Sequence, residues 1–329
     1  MATSTDPPSP AGSARQGFPD FFIVGHAKSG TTALYHMLRS HPQIYMPYVK
    51  EPGYFVPEFA SPYRRVPGKR HPNTPDGYLA LFADARPGQI TGEATPSYLF
   101  SRTAAGRIAE AAPAARIVAV LREPASFLRS LHLQLLKTDV ETEKDLRKAL
   151  ALEPRRRAGD SLPPYSPRPQ LLMYSEHVRY VEQLRRYHAV FPREQVLVLI
   201  YEEFRADNAA RVREVLRFLG VDDSVSIEPV EVNPATGTRA PRARELVRSL
   251  YKGRGPVAAR TKAVINAITS RRVRHRAIHL SHRAQITEPP APDEQLMAEL
   301  RQRFKGEVVA LGEYLGRDLV SLWGYERID

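Results

Sequence analysis

The sequence predicts an α/β protein whose central, mainly parallel sheet is flanked by helices on both faces. Three observations carry that expectation. The apolar runs Phe21–Val24 and Val196–Ile200, and the strand Arg116–Leu121, apolar from Ile117 on, have the composition of strands buried on both faces. Longer segments with apolar residues at helical spacing lie between them, as βαβ crossovers require. A glycine-bracketed loop, Gly25 to Gly30, follows the first run and opens a helical pattern.

Each element follows from its own residues. Leu34, Met37 and Leu38 line one side of the first helix, which the His41-Pro42 pair ends. Ile44–Met46 is a short apolar segment, and Lys50-Glu51-Pro52-Gly53-Tyr54-Phe55 is a turn by its proline and glycine. Residues 61–75, rich in Pro, Arg and Lys and without a period, form a loop, and Tyr78–Phe82 a short helix. Gln89–Glu93 is a second strand, and Thr103–Ala111 a helix before Arg116–Leu121. Phe127, Leu131 and Leu135 keep helical spacing behind Pro124, a residue suited to a helix start. Leu152–Arg168 is a Pro/Arg-rich insertion expected to behave as a mobile flap. Leu171, Tyr174, Val178, Val181, Leu184 and His188 read as one helix. Val212, Val215, Leu216 and Leu219 form another that Gly220 ends, and Leu296 to Leu315 a final one.

Composition bounds the rest. A chain of 329 residues with 42% hydrophobic content buries a substantial core. No run approaches the roughly 18 apolar residues that cross a bilayer. Met1–Gly17, rich in Pro, Ser, Ala and Thr, reads as a disordered tail rather than a signal or anchor, with residues 18–329 as a single domain. Cysteine is absent, which excludes disulfides, thiolate metal sites and a cysteine nucleophile; the default compartment is cytoplasmic. The net charge is +12. Its arginines concentrate at Arg155-Arg156-Arg157 and from Lys252 to Arg283, where Arg271, Arg272, Arg274 and Arg276 cluster. A solvated surface, or an entrance attracting an anionic cofactor or acceptor, accounts for them. Without interleaved stacking aromatics they do not indicate a nucleic-acid partner.

The loop Gly25-His26-Ala27-Lys28-Ser29-Gly30-Thr31-Thr32 is a phosphate cradle. Between a buried strand and a helix start, it turns backbone N–H groups toward the point that the helix dipole also faces. Lys28 adds an ammonium, and Thr31 and Thr32 add hydroxyls. The nucleoside-triphosphatase loop G-x-x-x-x-G-K-[ST] has its lysine directly after the second glycine. Here Thr31 follows Gly30 and the lysine comes earlier, which argues against an ordinary ATPase or kinase. Arg122, after the Arg116–Leu121 strand, stands at the sheet edge where ligands bind in open α/β folds. Ser130 follows on the next helix. An arginine and a hydroxyl are what a phosphate monoester requires.

These motifs resemble those of the sulfotransferases that use 3′-phosphoadenosine 5′-phosphosulfate, PAPS. The loop is similar to their 5′-phosphosulfate motif, close to PKSGTT, with Ala27 in place of the proline. RIVAVLREPASFLRS is similar to the 3′-phosphate motif, with Arg122 and Ser130 at the matching positions. KEPGYF and GEATPSYLF are similar to the carbohydrate branch, which includes heparan sulfate and bacterial enzymes. The resemblance implies a P-loop-like fold, PAPS as cofactor without a metal, and Glu51 as catalytic base. Some members carry a lysine where this chain has Ala94, so any role for it is absent or falls to another residue such as Lys50. Tyr201-Glu202-Glu203-Phe204 resembles the family's Y-E-D-L segment. Asn233 to Arg242 resembles the late loop over the 3′-phosphate, with Thr236, Gly237 and Arg239 in the cofactor set and Arg242 competing with Arg239. Variable segments 56–75, 139–170 and 254–290 would select the acceptor.

Sulfuryl transfer parallels in-line phosphoryl transfer. Charge develops on the departing phosphate, where the Lys28 ammonium stabilises it. A carboxylate, Glu51, takes the proton of the acceptor hydroxyl, worth typically ~10²–10⁴ in rate. His26 and His132 are rival bases, Lys50 is a partner or a bystander of Glu51, and Glu93 orients the acceptor or holds the loop. The expected activity is sulfation of a hydroxyl on a sugar, glycolipid or glycosylated small molecule. An atypical P-loop kinase or a non-catalytic nucleotide or polyanion binder are the alternatives.

Overall fold

The fold, obtained as a computed structural model, describes residues 17–59, 72–138, 140–163, 169–228, 237–238, 286–287 and 291–328. Two compact units make it up. One comprises residues 1–127, 174–232 and 301–329, the other residues 128–173 and 233–300.

The first unit is built on five strands: β1 (Phe21–Ile23), β2 (Ile44–Tyr45), β3 (Ile90–Ala94), β4 (Arg116–Leu121) and β5 (Val196–Ile200). They lie in the order β2-β3-β1-β4-β5, and every neighbouring pair is parallel. Phe21 lies opposite Gly92 and Arg116, and Leu121 opposite Ile200. Side chains alternate across the sheet. Phe21, Ile23, Val118 and Val120 pack with Leu34, Met37 and Leu38 of the helix Thr31–Arg39 and with Val212, Val215 and Leu216 of the helix Asn208–Leu219. Phe22 faces the other way, edge-on to Phe55 at 5.6 Å between ring centroids. From β1 the chain builds β2 and β3 on one side, then crosses to β4 and β5 on the other. This reversal places the switch point of the sheet beside β1, where open α/β sheets bind ligands at the carboxyl ends of their strands.

The run from Leu171 to His188 is not one helix. It divides into a 3₁₀ turn, Pro169–Leu172, and the helices Tyr174–His177 and Tyr180–His188. Gln183 Nε2 donates to the carbonyls of Glu176 and His177, at 3.0 and 3.1 Å. Val181 N turns to Glu307 Oε1 at 3.0 Å. Side chains have replaced the bonds that would have carried a continuous helix across the break.

In the second unit the helix Leu146–Ala151 leads into the expected flap, Leu152–Arg168, which carries the helix Glu153–Arg157. The Asp145 side chain caps the first by accepting from Arg147 N and Lys148 N. Arg156, expected in a solvated arginine run, is instead buried and forked onto Glu141 at 2.7 and 2.8 Å; Arg155 and Arg157 are exposed. A two-stranded antiparallel pair joins β6 (Gly237–Thr238) to β7 (Ile286–Thr287), so Gly237 lies in a strand. Thr236, Arg239, Arg242, the Arg271–Arg276 cluster and the N-terminal residues 1–16 fall outside the described residues.

Candidate active site

The cradle begins where β1 ends. His26 N reaches Val120 O at 3.4 Å, and Ser29 N closes a turn on His26 O at 3.2 Å. A Cβ on Gly25 would stand 2.8 Å from Val120 O, so only glycine lets the loop lie this close to β4. Lys28 and Gly30 both have left-handed backbone, at φ 70 and 83. Gly30 is well suited to it. Lys28 is not, and strain of this kind persists only where the surroundings over-determine it. The helical ladder starts with Leu34 N on Gly30 O, so the first-turn N–H groups of Thr31, Thr32 and Ala33 have no helical carbonyl behind them. Gly30 offers no side-chain cap.

Arg122 stands at the carboxyl end of β4. Its Nη1 donates to Lys28 O at 2.8 Å, and its guanidinium lies 4.7 Å from the Tyr201 ring centroid. Tyr180 OH donates to the Arg122 carbonyl at 2.8 Å. The two sequence motifs are thus joined by a direct bond that their spacing did not reveal. Two buried polar atoms here have no partner, Ser29 Oγ and Arg122 Nε. A buried, unpaired donor is costly unless a ligand completes it. Ser130, on the helix Pro124–Lys137 and within the second unit, likewise has a buried hydroxyl without a partner.

The Glu51 turn is fastened to the end of β3. Glu51 N donates to Ala94 O at 3.1 Å, beside Thr95 N, which donates to Ile23 O of β1 at 3.2 Å. Glu51 also has left-handed backbone, φ 59. Its side chain is 44% exposed, and Lys50 Nζ donates to its Oε1 at 2.7 Å. Lys50 is therefore a partner of Glu51. Glu93 is buried and accepts from Tyr78 OH at 2.8 Å and from Tyr98 OH and Thr95 Oγ1 at 2.7 Å each. Burial pushes Glu93 up to about 7, against the three hydroxyls and the Lys50 charge, which favour its ionised form. An enclosed carboxylate of this kind, bonded to three hydroxyls, is suited to holding the loop.

The rival histidines are structural. His26 is buried, its Nε2 lies 2.7 Å from Gln183 Oε1, and its ring packs on Phe127 and Tyr180. Burial lowers its pKa to about 4. His132 Nε2 lies 3.1 Å from Lys144 O; a carbonyl only accepts, so that nitrogen carries the proton. Tyr78, Tyr180 and Tyr201 support the site without having been singled out as functional. Of these, Tyr201 alone carried a signal in the sequence, as the first residue of the segment Tyr201–Phe204 that is similar to the family's Y-E-D-L. Among the described residues no group of His, Asp or Glu has the makings of a metal centre, and no helix is long and apolar enough to cross a membrane.

Fold and cradle together define an α/β protein with a glycine-bracketed strand-to-helix loop at the switch point of a parallel sheet. Comparison carries this one step further. The sulfotransferase domain family matches residues 18–233, and the chain belongs to that family. A crystal structure of a sulfotransferase from Alicyclobacillus acidocaldarius is 33% identical, with a TM-score of 0.57 over 76% of this chain and 96% of that one. Heparan sulfate glucosamine 3-O-sulfotransferase 3B1 of Mus musculus is 28% identical over 241 residues, 70% of this chain and 55% of that protein. Carbohydrate sulfotransferase 15 of Mus musculus is 25% identical over 277 residues, 69% and 48%. The chain spans about half the length of these curated relatives.

Proposed function

We propose that this chain moves a sulfuryl group from PAPS to a hydroxyl of a sugar or a glycosylated small molecule. Family membership supports sulfuryl transfer, and the carbohydrate enzymes among the relatives support a sugar-like acceptor. The observation that carries the cofactor is the pair of unsatisfied buried atoms, Ser29 Oγ and Arg122 Nε, on the two motifs that the resemblance assigns to phosphates. Residues and group fit: a cradle with unpaired donors and a fixed guanidinium suits a phosphorylated nucleotide.

When bound, PAPS supplies the sulfuryl group. Lys28, Ser29, Gly30, Thr31 and Thr32 hold its 5′ side, and Arg122 its 3′-phosphate. Ser130, Thr236, Gly237 and Arg239 are assigned there by resemblance alone. Lys28 lends its charge to the phosphate oxygen as negative charge builds there. Glu51, exposed and backed by Lys50, accepts the proton of the acceptor hydroxyl.

Calorimetric titration with 3′-phosphoadenosine 5′-phosphate tests the reading, with ATP and Mg²⁺ as the contrast. The bisphosphate is expected to bind tightly to the wild type and about 10²-fold or more weaker to Arg122→Ala, on the scale of a charge-assisted, bidentate contact. Preference for ATP with the metal would turn the assignment toward a kinase. Transfer of ³⁵S from PAPS to heparan sulfate, chondroitin, simple glycosides and a phenol then identifies the acceptor class, with Glu51→Gln as the inactive control.

A further inference from the structure

We infer that Glu93 is a positioning residue for Glu51, acting through the Thr95 and Tyr98 hydroxyls, which hold the turn that carries Glu51. The inference rests on the assignment of Glu51 as the base.

Its geometry forms a hub with two relays. Thr95 Oγ1 donates to Glu93 Oε2 and accepts from Gly53 N at 3.4 Å. Tyr98 OH donates to Glu93 Oε1 and accepts from Phe55 N, also at 3.4 Å. A hydroxyl has one proton. With Glu93 ionised, as it is above a pH of about 7, the carboxylate can only accept, so each hydroxyl donates its proton to it and offers its lone pairs to one of the two turn amides. The direction of both relays is therefore set at Glu93. Tyr78 adds a third donor to the carboxylate. It also braces the turn from the side, stacked on Tyr54 at 4.5 Å and edge-on to Phe55 at 5.5 Å. Glu93 itself cannot drift, since its backbone is held in β3 opposite Phe22 of β1.

What the hub holds is a conformation that the chain would not keep unaided. Glu51 and Gly53 both have positive φ, 59 and 69. Glutamate has no intrinsic reason to occupy that region, and strain of this kind persists only where the surroundings over-determine it. Bonds on either side of Pro52 do so: Glu51 N on Ala94 O, then Gly53 N and Phe55 N on the two hydroxyls. In Glu93→Gln one oxygen becomes an NH₂ donor, so a hydroxyl must reverse or lose its partner. The shape of the site is kept while the polarity of the relays is broken.

The experiment compares wild type with Glu93→Gln, Thr95→Val, Thr95→Ser and Glu51→Gln, read in three ways. In the unliganded protein, amide exchange at Gly53 and Phe55 is expected to quicken about tenfold in Glu93→Gln, and at Gly53 alone in Thr95→Val, while Thr95→Ser stays near wild type. Exchange in β1 and β4 should hold within about twofold, because the change is local. Affinity for 3′-phosphoadenosine 5′-phosphate should hold within about twofold in Glu93→Gln, while turnover of the acceptor found in the ³⁵S screen falls about 10²-fold through misplacement of the base.

Unchanged exchange and turnover in Glu93→Gln would overturn the inference. So would losses of bisphosphate affinity and sheet protection that parallel the loss of turnover, since those mark a general structural role. Should Glu93→Gln fail to fold, the contrast between Thr95→Val and Thr95→Ser at Gly53 decides. Loss of turnover in Glu51→Gln with none in Glu93→Gln removes the inference and leaves the proposed function standing. Full turnover in Glu51→Gln removes the assignment of the base, and this inference with it.

Discussion

Lys28 shows at the scale of one residue how a site can work against its fold. Its left-handed backbone, φ 70, costs an L-residue with a Cβ roughly 1–2 kcal/mol relative to the right-handed regions. Glycine has no such cost but lacks the ammonium. Lys28→Gly is therefore expected to unfold at equal or higher denaturant, by up to about 1 kcal/mol once glycine's larger chain entropy is set against the relieved strain. Turnover should fall together with affinity for the bisphosphate. Urea unfolding beside calorimetry checks the pair of signs, and a variant that loses stability would remove the strain argument. The identity and place of Lys28, Ser29, Glu51 and Arg122 were legible in the sequence, because residue type and position after a strand are local properties. The bond from Arg122 to Lys28 O was not, nor the burial of Glu93 under three hydroxyls. Both depend on which strands lie side by side, and β3, β1 and β4 are neighbours only through crossovers.

Among the elements, the strand-to-helix junction after β4 is braced by the end of the chain. Glu123 accepts from Ala125 N at 2.9 Å and Ser126 N at 2.7 Å, capping the helix Pro124–Lys137 with its own side chain. Tyr325 OH donates to the same Glu123 at 2.5 Å. Glu202 accepts from Glu123 N at 3.2 Å and from Trp323 Nε1 at 2.9 Å. Arg122 directly precedes this knot, so its guanidinium is aimed from a fixed base. Tyr325→Phe removes a buried bond to a carboxylate and is expected to cost about 1.5–3 kcal/mol of stability. The bisphosphate affinity should weaken with it; a variant that loses stability but keeps full affinity would show that the knot serves folding alone. Strands β4 and β5 and the helix ended by Gly220 were readable because composition and period decide them. The break between Leu171 and His188 was not: no proline or glycine marks it, and Gln183 and Glu307 make it through bonds invisible to a periodicity.

For the whole molecule, the parallel sheet was legible from three strand-like runs, whereas part of its pH response comes from two groups that burial pushes in opposite directions. His26 titrates at about 4 in the folded chain against an ordinary 6.5. Between those values the unfolded chain binds a proton that the folded chain refuses, so this contribution is whole above 6.5 and is lost as pH falls toward 4. Glu93 titrates at about 7 against an ordinary 4.5. Here the folded chain keeps a proton that the unfolded chain has released, so the contribution is whole below 4.5 and is lost as pH rises through 7. In the shared window, from 4.5 to 6.5, the two slopes oppose each other. Removing one exposes the other. Relative to wild type, His26→Gln should lose stability as pH rises through the window, by on the order of 1 kcal/mol per pH unit, and Glu93→Gln should gain it at a similar rate. Groups common to all three proteins cancel in that comparison, so Lys50, Tyr78 and Tyr98 around Glu93 do not blur its sign. Urea unfolding of the three proteins across the window measures it. Parallel curves would mean that neither group is held away from its ordinary state, and the opposed pair would then not govern how this fold responds to acid.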